Sequence, residues 1–141
     1  MKERQFFGKS IVRNQDPQLL TGQALFVDDV NLPDMVHAAF VRSTYAHAKI
    51  VKIDVSTALN REGVVAVYTA EDLGNYWQPG PLLVQPPPIK NLIFNERTQV
   101  PLAKYKVRFV GEPVVMVLAE NRYIAEDALM DVYVEYEPLS V

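Results

Sequence analysis

The chain has 141 residues, 49% hydrophobic and 22% charged, with a formal net charge of -3 at pH 7. That is one domain's worth of sequence with enough apolar content for a core, and the charge balance argues against a nucleic-acid footprint or a polybasic membrane patch. It has no cysteine and only two histidines, which excludes disulfides, cysteine-ligated zinc and an iron–sulfur cluster held by this chain.

No apolar run approaches the roughly 20 residues that would span a bilayer. The first residues lead into no signal-peptide stretch, so a cytoplasmic location is expected. Asp16-Pro17-Gln18-Leu19-Leu20-Thr21-Gly22 predicts one helical turn, with Asp16 as cap, Pro17 at the first helical position and Gly22 as the stop. Leu25 to Val30 reads as a short extended piece ending in Asp28-Asp29, and Asn31-Leu32-Pro33-Asp34 as a turn. Met35 to Val41 is a strand apolar on both faces, which places it at the centre of a sheet. Lys49 to Val55 alternates, with Val51, Ile53 and Val55 on one side and Ile50, Lys52 and Asp54 on the other. Ser56 is set to cap a short helix reaching Arg61 and closed by Gly63. Val64 to Tyr68 suits a buried strand, and Thr69-Ala70-Glu71-Asp72 resembles a capping box ahead of a short helix near Leu73.

Residues 78–98 change character. Gln78 to Pro88 holds five of the ten prolines, which excludes an interior helix or central strand and predicts a long, stiff excursion. Leu82, Leu83, Val84, Ile89, Leu92, Ile93 and Phe94 make it too apolar for a solvated linker, so it needs a surface to pack on, its own domain's or a partner's. Beyond it, Val107 to Val110 reads as a strand, Gly111-Glu112-Pro113 as a turn and Val114 to Ala119 as a second apolar strand. Asn121 is a helix cap, and Ala125, Ala128, Leu129 and Val132 form one apolar face. Val132, Val134 and Tyr136 then alternate with Tyr133, Glu135 and Glu137 as a half-buried strand. The sum is an α+β domain of short strands and short helices, without the long alternation of a doubly wound sheet.

An ordered series of motifs carries a resemblance. It runs through Leu19-Leu20-Thr21-Gly22, Asp28-Asp29, Met35-Val36-His37, Val41-Arg42-Ser43, Ala46-His47-Ala48-Lys49-Ile50, Gly63-Val64 and Thr69-Ala70-Glu71-Asp72-Leu73. Pro101-Leu102-Ala103, Val110-Gly111-Glu112-Pro113-Val114 and Ala125-Glu126-Asp127-Ala128 complete it. In this order they resemble the N-terminal α/β-hammerhead domain of the large subunit of molybdenum hydroxylases: aerobic carbon monoxide dehydrogenases, xanthine dehydrogenases and aldehyde oxidases. Thr44-Tyr45 departs from the Pro-His or Pro-Tyr frequent there, and Val115 replaces a common small residue.

The resemblance implies a single α/β-hammerhead domain over 1–141, with the proline-rich loop 78–98 inside it. It also implies that the molybdenum–pterin cofactor and the catalytic glutamate belong to a longer region, and the iron–sulfur clusters and flavin to other domains or subunits. No catalytic, cofactor-binding or metal-ligating residue is then assigned to this chain, which is expected to be inactive alone. Two origins fit an end near residue 141: a split gene whose product joins a separate cofactor-binding chain, or an excised piece of a longer one. Met1 and the absence of a tag favour the first.

The polar residues with two readings are few. Arg42 and His47 bracket a tight segment, and Glu112 precedes a proline in a turn. With Gly111 and Pro113 they are expected to anchor turns, since buried polar groups need partners. Asp28-Asp29 is expected to cap a turn rather than bind metal. The resemblance makes Ile93 and Phe94 contacts to a substrate channel or to the partner chain. Two other classes stay open: a stand-alone interaction module, and a small enzyme using His37, His47 and nearby carboxylates. The ten-residue spacing of the histidines matches no standard metal motif.

Overall fold

The structure, a computed structural model, describes residues 8–79 and 99–141. Nearly all of the proline-rich segment 78–98, with Ile93 and Phe94, lies outside the described residues. The chain divides into two compact units between Pro33 and Asp34.

In the first unit, helix α1 spans Asp16–Leu20 with Pro17 in its first turn. Gln15, not Asp16, is the capping position, and no side chain caps it. The Thr21 hydroxyl closes the other end by donating to the Pro17 carbonyl at 2.7 Å. The extended piece expected at 25–30 is instead interrupted by a 3-10 turn, Val27–Asp29. The Asp29 carboxylate accepts the Phe26 N–H at 2.9 Å, a local side-chain bond that competes with extension.

The second unit holds two antiparallel three-stranded sheets, with strand orders β1-β5-β3 and β4-β2-β6. Strands β1 (His37–Arg42), β3 (Val64–Tyr68) and β5 (Pro113–Ala119) form the first. Strands β2 (Ala48–Asp54), β4 (Lys106–Val107) and β6 (Tyr133–Pro138) form the second. The central strand of the first sheet is β5, and β1 lies at its edge, contrary to the sequence expectation. The reason is composition: Val114 to Leu118 is apolar at every position, whereas β1 carries His37 and Arg42 at its ends. Val114, Val115 and Val117 are fully buried, each contributing about 1.5–3 kcal/mol by leaving water. Val64 to Tyr68 likewise forms an edge and is only partly buried.

Strand β2 departs from simple alternation. A bulge between Ile50 and Lys52 lets both Ile50 and Ile53 pack on the core while Val51 stays 57% exposed. The strand expected at 107–110 is only the pair Lys106–Val107, because Arg108 turns away to bond Glu112. One core joins the sheets, drawing Ala48 and Val107 from the second and Val67, Val114, Val115 and Val117 from the first.

Helix α2 covers Ser56–Leu59, and Ser56 lies inside it rather than capping it. Asp54 does the work expected of Ser56: its carboxylate accepts the Ser56 hydroxyl at 2.6 Å and the Ser56 N–H at 3.1 Å. The box at Thr69 forms, with Asp72 accepting the Thr69 N–H and hydroxyl, but a 3-10 turn, Gly74–Tyr76, follows it. Helix α3 (Arg122–Ala128) is capped by the Asn121 carboxamide, which accepts the Ile124 N–H at 2.9 Å. Ala125 of α3 packs on Ala39 and Ala119, covering one face of the first sheet.

Two predictions follow from these contacts. Gly63 has φ 81°, and a Cβ there would lie 2.5 Å from Ile124 Cδ1. Gly63→Ala should destabilise the chain by about 1–2 kcal/mol in urea unfolding. Asp54 has its carboxyl lowered from 3.8 to about 2, chiefly by the Ser56 hydroxyl, then by the Ser56 N–H and Lys52. A lowered folded value makes its contribution full above 3.8 and lost as pH falls through about 2. NMR should find its titration midpoint near 2, and Asp54→Asn should flatten the loss of stability in that window.

Candidate functional site

Of the sequence-assigned anchors, Arg42, Gly111, Glu112 and Pro113 meet where the end of β1 crosses the turn before β5, while His47 lies at the start of β2 against the end of β6. Ser43 N–H donates to the Glu112 carbonyl at 2.9 Å, and Gly111 N–H donates to the Ser43 carbonyl at 2.8 Å. Arg42 Nη1 donates to the Gly111 carbonyl at 3.0 Å. Gly111 turns the chain with φ 92°, a conformation that a side chain would strain. Pro113 has no N–H to place, and its carbonyl accepts Ala103 N–H at 2.8 Å.

Glu112 is 3% exposed. Its carboxylate accepts the Arg108 N–H at 2.6 Å and Arg108 Nη1 at 3.0 Å. A buried carboxylate with two donors, one charged, is satisfied by its own turn. Ser43, also 3% exposed, accepts the Tyr45 N–H and donates to the Tyr45 carbonyl. His47 Nδ1 lies 2.7 Å from the Ser140 carbonyl. Because a carbonyl only accepts, Nδ1 carries the proton. The His47 carbonyl in turn accepts Leu139 N–H at 2.9 Å, so β6 is tied back at its end.

Behind the crossing, the Tyr45 and Tyr136 rings lie 5.2 Å apart. The Tyr136 hydroxyl is buried without a hydrogen-bond partner among the described residues. Burial pushes its phenol up from the ordinary value.

A cleft of about 290 Å³ opens between Ile50–Ile53, Thr69–Glu71 and Ala103–Tyr105. Beside it, Trp77 Nε1 donates to the Leu102 carbonyl at 2.7 Å, its ring meets Tyr105 edge-on, and Lys104 sits over both rings. Of the polar residues that line it, the Thr69 hydroxyl is spent on the Asp72 carboxylate at 2.6 Å. Among the described residues no group of three or more His, Cys, Asp or Glu side chains could hold a metal. Asp29 of the Asp28-Asp29 pair caps its own turn.

Sequence reasoning missed Ser43 and Arg108. Arg108 carried a usable signal, an opposite charge four residues before Glu112. Ser43 carried none for its backbone bond to Glu112, which lies in a turn 69 residues away.

This α+β arrangement of two small antiparallel sheets has close counterparts. The family described as aldehyde oxidase and xanthine dehydrogenase, a/b hammerhead domain, matches residues 21–140. The large subunit of nicotine 6-hydroxylase from Paenarthrobacter nicotinovorans is 41% identical over 138 residues, 98% of this chain and 16% of that one. The carbon monoxide dehydrogenase large chain of Afipia carboxidovorans is 42% identical over 129 residues, 92% of this chain and 15% of that one. The crystal structure of quinoline 2-oxidoreductase from Pseudomonas putida 86 superposes with a TM-score of 0.82 at 40% identity, covering 94% of this chain and 16% of that one. The chain therefore belongs to the a/b hammerhead domain family of the molybdenum hydroxylases, and it spans about one sixth of the length of these relatives.

Truncating Glu112 would leave Arg108 and its N–H without their acceptor. Glu112→Ala should cost about 2–3 kcal/mol of stability in denaturant titration.

Proposed function

We propose that this chain is the structural and assembly domain of the large, molybdopterin-binding subunit of a molybdenum hydroxylase. The observation that carries this reading is the match of nearly the whole chain to a sixth of two proteins named as a large subunit and a large chain. In this reading Arg42, His47, Gly111, Glu112 and Pro113 anchor the turns that hold the two sheets in register. Their polar atoms are spent on the chain's own backbone and on Arg108. That donor set does not fit a molybdenum–pterin group, so the cofactor is assigned to the rest of the large subunit and no chemical step is derived within this chain.

The assembled enzyme would hydroxylate a carbon centre with oxygen from water, or oxidise carbon monoxide, drawing on iron–sulfur and flavin subunits. Ile93 and Phe94 are assigned by resemblance to a channel or to the contact with the cofactor-binding region. Among the described residues no helix is long and apolar enough to cross a membrane, and a cytoplasmic place is part of the proposal.

Purification from the native source tests the reading. The 141-residue sequence should be recovered with a large molybdenum-containing polypeptide, either continuous with it or bound to it, and the isolated chain should oxidise no aldehyde, purine or carbon monoxide. Activity of the isolated chain would overturn the proposal. Recovery of the chain alone, free of molybdenum, would favour a stand-alone interaction module instead.

A further inference from the structure

The two sheets present different outer faces. On the second sheet, the side turned from the core displays Lys49 against Glu137 at 3.2 Å and sets Lys52 opposite Glu135. These are exposed opposite charges, as a solvated face requires.

The first sheet does the reverse. Its row Ala39–Val117–Val67 is buried on the side where α3 packs. On the other side, two rows run across all three strands: Phe40–Met116–Tyr68 and Ala38–Leu118–Ala66. Residues directly opposite in antiparallel strands share a face, so these six form one continuous surface. None is charged. Ala38 is exposed and the other five are half-buried. Val114, next along β5 on this face, is fully buried in the shared core, so the cover stops there. At the rim, the Arg42 guanidinium lies over the Phe40 ring at 5.6 Å.

A sheet facing water alternates apolar and polar residues, and a sheet meant to be covered does not. Resting on the assembly reading above, we infer that this face is where the cofactor-binding remainder of the large subunit docks. The relatives carry more than four fifths of their length outside the region this chain matches, which supplies an occupant large enough to cover it. That occupant would bring an apolar surface to the two rows and an acceptor to Arg42 at their edge.

The absence of cysteine makes thiol footprinting clean. The probe is the nicotine 6-hydroxylase large subunit from which the matched region has been removed, co-expressed with this chain. Ala38→Cys and, on the charged sheet, Glu135→Cys should both react freely in the isolated chain. In the complex, Ala38→Cys should slow by at least about tenfold while Glu135→Cys stays reactive. Ala38→Arg, at an exposed position, should leave the far-UV circular dichroism of the chain unchanged and abolish retention of the remainder. Binding with Ala38→Cys still fully reactive would overturn the choice of face and leave the assembly reading standing. Failure of the unsubstituted chain to bind a remainder that itself retains molybdenum would overturn both. Concentration-dependent dimerisation that protects Ala38→Cys without any remainder would assign the face to a second copy instead.

Discussion

The burial of β5, with Val114, Val115, Val117 and Ala119 all at 0% exposure, is the constraint on which the second unit depends. Val114, Val115 and Val117 all pack in the core shared with the second sheet, while Ala119 and Ala39 meet Ala125 of α3. The most deeply buried strand takes the middle of its sheet, and β1 and β3 take the edges. The same burial brings Ala48, Val107 and Ala103 against the start of β5. Small and β-branched side chains there let two three-stranded sheets share one interior.

Sharing an interior leaves chain ends to be fastened, and polar groups do this. The paired bonds between Ser43 and Gly111–Glu112 join the exit of β1 to the entry of β5. Glu112 is buried only because Arg108 supplies both a backbone and a guanidinium donor. His47 ties the end of β6 to the start of β2. Arg61 does similar work near α2 by reaching Asp131 at 2.6 Å, with Asp127 at 3.4 Å. Of these, Glu112 and His47 are the ones a search for catalysis notices first in this sequence, and their partners lie within the chain.

Some local chemistry was legible because the partner was near in sequence. Asn121 capping α3, the Thr69–Asp72 box and the alternation of β6 each depend on residues at most four apart. The errors share one cause. The bulge in β2, the swap of Asp54 for Ser56 and the short β4 are settled by competition for hydrogen bonds and core space, which periodicity does not register. Of the candidate site, Arg42, His47, Gly111, Glu112 and Pro113 stood out in the sequence as members of turns. Their partners did not, because 69 residues separate Arg42 from Gly111 and 93 separate His47 from Ser140.

The sequence by itself determined the α+β class, the positions of most elements, the family resemblance and the lack of thiol chemistry, since each follows from residue types and short-range order. Only the tertiary structure decided that β5 is central, that Arg42, Gly111 and Glu112 form one crossing, and that the two sheets differ in their outer faces. Strand order and lateral register arise from pairing between segments dozens of residues apart. An apolar row such as Phe40–Met116–Tyr68 exists only once three strands lie side by side.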